Sequence, residues 1–169
     1  MTQARKSFVP GRGVAVAVIL VGSMWIAPPA FATAASGFVG TQLAKGAYGP
    51  IDLKMKTDTF DIKLDTKGDA DVYVTRNAIA VGGQSGWHTH PGPSLVTVTV
   101  GEITVYDGDD PVCPGHVYRA GEGSIDFGDG HLHLIRNESG AVAETVAVQF
   151  IARDAVRRID EPKPTNCPY

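Results

Sequence analysis

The chain has 169 residues, room for one domain and little room for a second. Its formal charge of −3 becomes −6 when residues 1–32 are set aside, because that stretch holds three of the 15 basic residues and none of the 18 acidic ones. Such a chain offers no basic stripe, which excludes nucleic acid as a partner, and Arg153, Arg157 and Arg158 read as a solvated face.

The first 32 residues read as a secretory signal. Arg5, Lys6 and Arg12 form a basic start, Val14 to Ile26 is uncharged and mostly apolar, and Ala30-Phe31-Ala32 offers a small-x-small cleavage site. The rival reading is an uncleaved anchor. Pro28-Pro29 would break a spanning helix near its end, so no stable membrane anchor is expected after cleavage. The expected location is secreted, periplasmic or on the exterior of the cell envelope.

Residues 33–50 are rich in Gly and Ala and read as a flexible lead-in with at most one edge strand. From Ile51 the apolar residues recur every second position: Leu53 and Met55, then Phe60, Ile62 and Leu64, then Val72-Tyr73-Val74. The same habit runs through 79–81, 95–100, 102–106, 124–127, 132–135 and 142–151, with Gly, Pro, Asp and Asn between. Many short strands separated by turn residues predict an all-β barrel or sandwich over 51–155. Residues 156–169 form a Pro-rich tail.

Cys113 and Cys167 are the only cysteines. In an exported chain an even pair is expected to be bridged, which would pin the tail through Cys167. A cysteine metal site is the alternative, without a second close cysteine to support it.

Four of the five histidines fall in two pairs, His88/His90 and His131/His133. Residues two apart on a strand share a face, so His88 and His90 point together and leave Trp87 and Thr89 on the other side. Converging neutral imidazoles suit a divalent transition metal (Fe, Mn, Zn, Ni or Cu). An HxH pair alone is a weak signal, equally at home on a wet strand. His131, directly after Gly130, reads as a rim residue, and His116 as exposed.

The wider spacing is more specific. Gly82, His88, His90 and Gly101 are followed about thirty residues later by Gly130, His133 and Asn137. These seven positions resemble the two motifs of the cupin superfamily, G-x5-HxH-x3-4-E-x6-G and G-x5-PxG-x2-H-x3-N. The resemblance covers roughly residues 70–152 and implies a single jelly-roll barrel whose metal is held by His88, His90 and His133. Two departures stand out. Gly128 replaces the second motif's Pro and Glu122 its leading Gly, a change in turn chemistry. Ser94 stands where the motif carries a carboxylate ligand, which implies a more open, three-histidine site. Gln149 could reach inward as a substitute, and Glu102 falls beyond the ion's reach.

Strand parity puts Ser94, Val96, Val98 and Val100 on the inward face, with Ile135 and Asn137 beside His133, so the expected pocket wall is mostly apolar and includes Ser94, Val96, Val98, Ile135 and Gln149. No other residue offers an evident general base, and no catalytic residue can be named. Three-histidine cupins resemble non-haem iron dioxygenases in coordination, so one expectation is an oxygenase acting on a small organic molecule. The alternatives are a non-catalytic extracytoplasmic module that binds or senses a small ligand, or a barrel that its metal merely stiffens. Cupins often pair through a sheet edge, so the resemblance also admits a homodimer.

Overall fold

A computed structural model describes residues 32–169. The signal segment lies outside the described residues, apart from Ala32 at its end. The secondary structure is entirely β: β1 Ser36–Tyr48, β2 Asp52–Lys56, β3 Asp61–Asp65, β4 Ala70–Gln84, β5 His88–Thr89, β6 Ser94–Val100, β7 Glu102–Asp107, β8 Gly115–Arg119, β9 Gly123–Asp126, β10 His133–Arg136, β11 Ala143–Ala152 and β12 Ile159–Asp160. No helix among the described residues is long and apolar enough to cross a membrane.

All pairings are antiparallel, and apart from the β2–β3 pair they form two runs. One is β1-β4-β11-β6-β9, the other β8-β7-β10-β5-β12. They join where Gln84, at the end of β4, meets Arg136 of β10, giving a nearly closed barrel. Alternation decides which side chains enter. In β6, Ser94, Val96 and Val98 are buried, while Leu95, Thr97 and Thr99 face out. Val100, expected inside, is exposed: the strand ends there, and Gly101 turns the chain at φ 68°, a conformation that disfavours any residue with a Cβ.

Two apolar clusters fill the fold. Ile79, Val98, Ile103, Ile135 and Ala143 form one, with Phe38 packed against it. Trp87, Tyr106, Cys113, Leu134 and Cys167 form the other. Thus β10 serves both faces of its sheet: His133 and Ile135 line the barrel cavity, while Leu134 joins the Trp87 cluster.

Three segments depart from expectation. The lead-in holds the one edge strand allowed for it but is not otherwise loose: residues 36–48 are a 13-residue strand paired along β4 from Ser36↔Gln84 to Tyr48↔Ala70. Main-chain pairing holds it, and Phe38 and Gly46 are its only half-buried residues, so no apolar alternation announced it. Residues 51–65, assigned to the barrel by their alternation, form a separate two-stranded sheet of β2 and β3. Period two marks a strand without saying which sheet it joins. The tail, expected to be tied only by Cys167, is held along its length. β12 pairs with β5, Glu161 exchanges main-chain bonds with Trp87 and Thr33, and the Trp87 indole donates to Tyr169 O at 2.7 Å. Tyr169 also sits beneath the Arg136 guanidinium, 3.8 Å from ring centre.

The Cys113–Cys167 disulfide is formed, with Cα atoms 5.3 Å apart across 54 positions of sequence. It closes a loop long enough to contribute about 4 kcal/mol by restricting the unfolded chain. The Cys113→Ser, Cys167→Ser double variant should therefore melt several degrees lower in a calorimeter. An unchanged melting temperature would mean that the tail is secured by Tyr169 and β12 alone.

Candidate metal centre

His88 lies on β5 and His133 directly opposite it on β10, a pairing the antiparallel register dictates. His90 follows β5 on the same face. The three rings approach to centroid distances of 4.2–5.4 Å, and one ligand-type nitrogen from each lies within 4.8 Å of the others.

Each ring is oriented by a main-chain carbonyl at its Nδ1: Gly86 O for His88 at 2.8 Å, Arg157 O for His90, and His131 O for His133 at 3.1 Å. A carbonyl only accepts, so each Nδ1 carries the proton and each Nε2 keeps a free lone pair. A metal site needs this tautomer and this kind of outer support. The electrostatics agree. Burial pushes His88 far down from the usual histidine value, helped by its His133, Arg158 and His90 neighbours. Burial likewise lowers His90, and it pushes His133 down to about 4. All three stay neutral at physiological pH.

These rings border a cavity of about 460 Å³, which Ser94, Val96, Ile135, Ala147 and Gln149 also line. Val98, expected in the wall, packs instead in the Ile79 cluster below it. Gln149 is committed elsewhere. Its Oε1 accepts from Arg157 Nε at 3.1 Å and its Nε2 donates to Arg157 O at 3.2 Å, so both ends of its amide hold Arg157.

Reading the three arginines as one solvated face is corrected. Arg153 pairs with Asp69 at the surface, but Arg157 and Arg158 line the cavity. Arg158 is neutralised by Asp160 at 2.6 Å. Arg157 has no carboxylate partner among the described residues. Gln149, Thr75 and Gln42 accept its protons, and it lies 4.0 Å from the centre of the Tyr73 ring. One uncompensated cation therefore faces the histidines. Because it follows β11 in a connecting segment, strand periodicity could not have found it.

Asp126, at the end of β9, was also missed. It is buried in the same cavity, with Oδ1 3.3 Å from His131 Nδ1 and 3.8 Å from His133 Nδ1. His131 bridges outward, its Nε2 3.2 Å from Asp107. Burial works against a charged His131, but Asp107 and Asp126 outweigh it and raise its pKa. The parity of Ser124 and Asp126 was the available signal.

The matched glycines Gly82, Gly101 and Gly130 all have positive φ (72°, 68° and 80°). Asn137 is buried and donates to Ile79 O and Ala141 O, tying the turn after β10 to β4. The two motif segments thus adjoin and bring their histidines to one point. The antiparallel barrel is the one that the cupin resemblance implies. Even its departure is explained: Gly128 sits at φ 71°, which a proline ring cannot adopt, and a Cβ there would meet Gly92 C at 2.4 Å.

No protein-family model matches the chain, and no curated protein sequence does. Among solved structures the chain is similar to an oxalate oxidase, with 24% identity over 48% of this chain and 46% of that one (TM-score 0.42). It thus spans less than half the length of that oxidase. It is similar to a cupin 2 conserved barrel protein from Leptotrichia buccalis, with 15% identity over 66% of this chain and 40% of that one (TM-score 0.44). It is also similar to the polyketide cyclase RemF from Streptomyces resistomycificus, with 17% identity over 56% and 65% (TM-score 0.45).

Proposed function

We propose that this protein is an exported, metal-dependent enzyme of the oxygenase class, acting on a small organic acid. The supporting observation is that three histidines with their Nδ1 protons committed to carbonyls share one cavity with the unpaired Arg157. His88, His90 and His133 would hold a divalent transition ion, which supplies a Lewis-acidic point and, if redox-active, one-electron chemistry. Arg157 offers its cation to an anionic group of the ligand, and Gln149, Thr75 and Gln42 fix its direction. Val96, Ile135 and Ala147 favour a small apolar body between those two poles. The disulfide supports an oxidising compartment outside the cytoplasm.

Elemental analysis of protein purified without chelator should find one metal per chain. Small carboxylates should then bind the loaded protein, and Arg157→Gln should weaken them by about tenfold or more in calorimetry while leaving metal content intact. Unchanged affinity in that variant would remove Arg157 as the anchor. Oxygen uptake with a bound acid supports the enzyme, whereas saturable binding with no turnover across a panel of acids would make the protein a binding module.

A further inference from the structure

We propose that Asp126 supplies the anionic group of this metal centre, its free Oδ2 facing the bound cation in place of the carboxylate that Ser94 lacks. This rests on the metal-binding reading above.

Ser94 and Asp126 are direct cross-strand partners of β6 and β9. Side chains so paired leave the sheet on the same face, their Cβ atoms about 5 Å apart. A carboxylate removed from position 94 can thus be returned to the same side of the cavity from the next strand. Both residues line the cavity with the three histidines, and their exposures are 4% and 6%.

The two Asp126 oxygens differ. Oδ1 accepts from Gly128 N–H at 3.0 Å and lies 3.3 Å from His131 Nδ1. Oδ2 is buried with no hydrogen-bond partner, as is Ser94 Oγ. The only other such atoms among the described side chains belong to Asp71, which has Lys45 at 2.8 Å and Arg153 at 3.7 Å. Asp126 Oδ2 is therefore a buried carboxylate oxygen with no hydrogen bond of its own, since His131 stands against Oδ1, and such an oxygen is costly to bury unless a further partner reaches it. Asp126 shares a candidate ligand cluster with His133, one of the three imidazoles, and a divalent ion held there would supply that partner.

The turn is built to hold this group. Gly128, in the left-handed region where the family motif carries proline, presents its amide to Oδ1, so the carboxylate is clamped at one oxygen and left free at the other. The two departures from the motif, Ser94 and Gly128, then belong to one rearrangement: the carboxylate has moved across the ladder, and the turn beside it has changed to position it.

The test is competitive titration of Zn²⁺ and Mn²⁺ against a chromophoric chelator, using the full folded protein. Asp126→Asn should weaken metal binding by about 10- to 100-fold. Asp129→Asn removes one charge from the exposed side of the same turn and should leave affinity as in the native protein. Ser94→Glu added to Asp126→Asn should restore most of the loss. Native affinity in folded Asp126→Asn would overturn the inference, as would equal losses in Asp126→Asn and Asp129→Asn. If Asp126→Asn does not fold, ¹³C-Asp-labelled native protein gives the answer: the Asp126 carboxyl resonance should shift on Zn²⁺ addition, and an unmoved resonance refutes the assignment. A native protein that binds no metal would sink the functional reading itself. Loss of metal in His88→Ala with native affinity in Asp126→Asn would sink only this one.

Discussion

His88→Ala and His133→Ala should each reduce bound metal from about one equivalent to near zero, in a barrel that remains folded. The loss is large because the candidate set has only three imidazoles, and Gln149, another polar group of the cavity, is bound at both ends to Arg157. The fold survives because neither ring belongs to an apolar cluster: Trp87 and Leu134 pack on the far side of the same strands. Truncating either ring enlarges an existing cavity instead of opening a hole in packed core, so the cost falls below the 2–5 kcal/mol typical of a large-to-alanine core change. Elemental analysis and circular dichroism on the same samples check both halves. Stoichiometric metal retained in both variants would refute the three-histidine site.

The barrel and its histidines were legible in the sequence because both rest on local rules. Alternation names strands, and HxH spacing puts two imidazoles on one face whichever strand lies next door. What was not legible depends on pairing. Asp126 becomes a neighbour of Ser94 only through the β6–β9 register, and Arg157 faces the cavity only because the segment after β11 folds back beneath His90. The 51–65 alternation was misplaced for the same reason, since period two fixes the face of a strand and not its partner. The β1 strand was hidden differently. Its Gly- and Ala-rich run buries almost nothing, and its stability comes from main-chain bonds that leave no trace in side-chain pattern.

Acid should release the metal and weaken the metal-free barrel from about pH 6.5 downward, through the His133 value of about 4 and on below it for the more strongly depressed His88. His133 has a folded-state value of about 4, below that of the unfolded chain, and His88 and His90 are shifted in the same direction by burial. A group depressed in this way contributes stability above its unfolded pKa and loses it as pH falls toward the folded one, because the unfolded state takes up the proton first. His131 acts with the opposite sign. Asp107 and Asp126 raise it, so its contribution is present at low pH and is lost as pH rises through its folded value. Three depressed histidines against one raised histidine give a net loss on acidification. The lowered carboxylates Asp71, Asp107 and Glu138 add theirs only at still lower pH. Urea unfolding of metal-free protein at several pH values should show the midpoint falling across the histidine window. His133→Ala should flatten that slope, because it removes one proton-binding site available only in the unfolded state. A midpoint independent of pH between 6.5 and 4 would mean that the three rings are not held neutral by burial, and the electrostatic basis for a preformed metal site would fail with it.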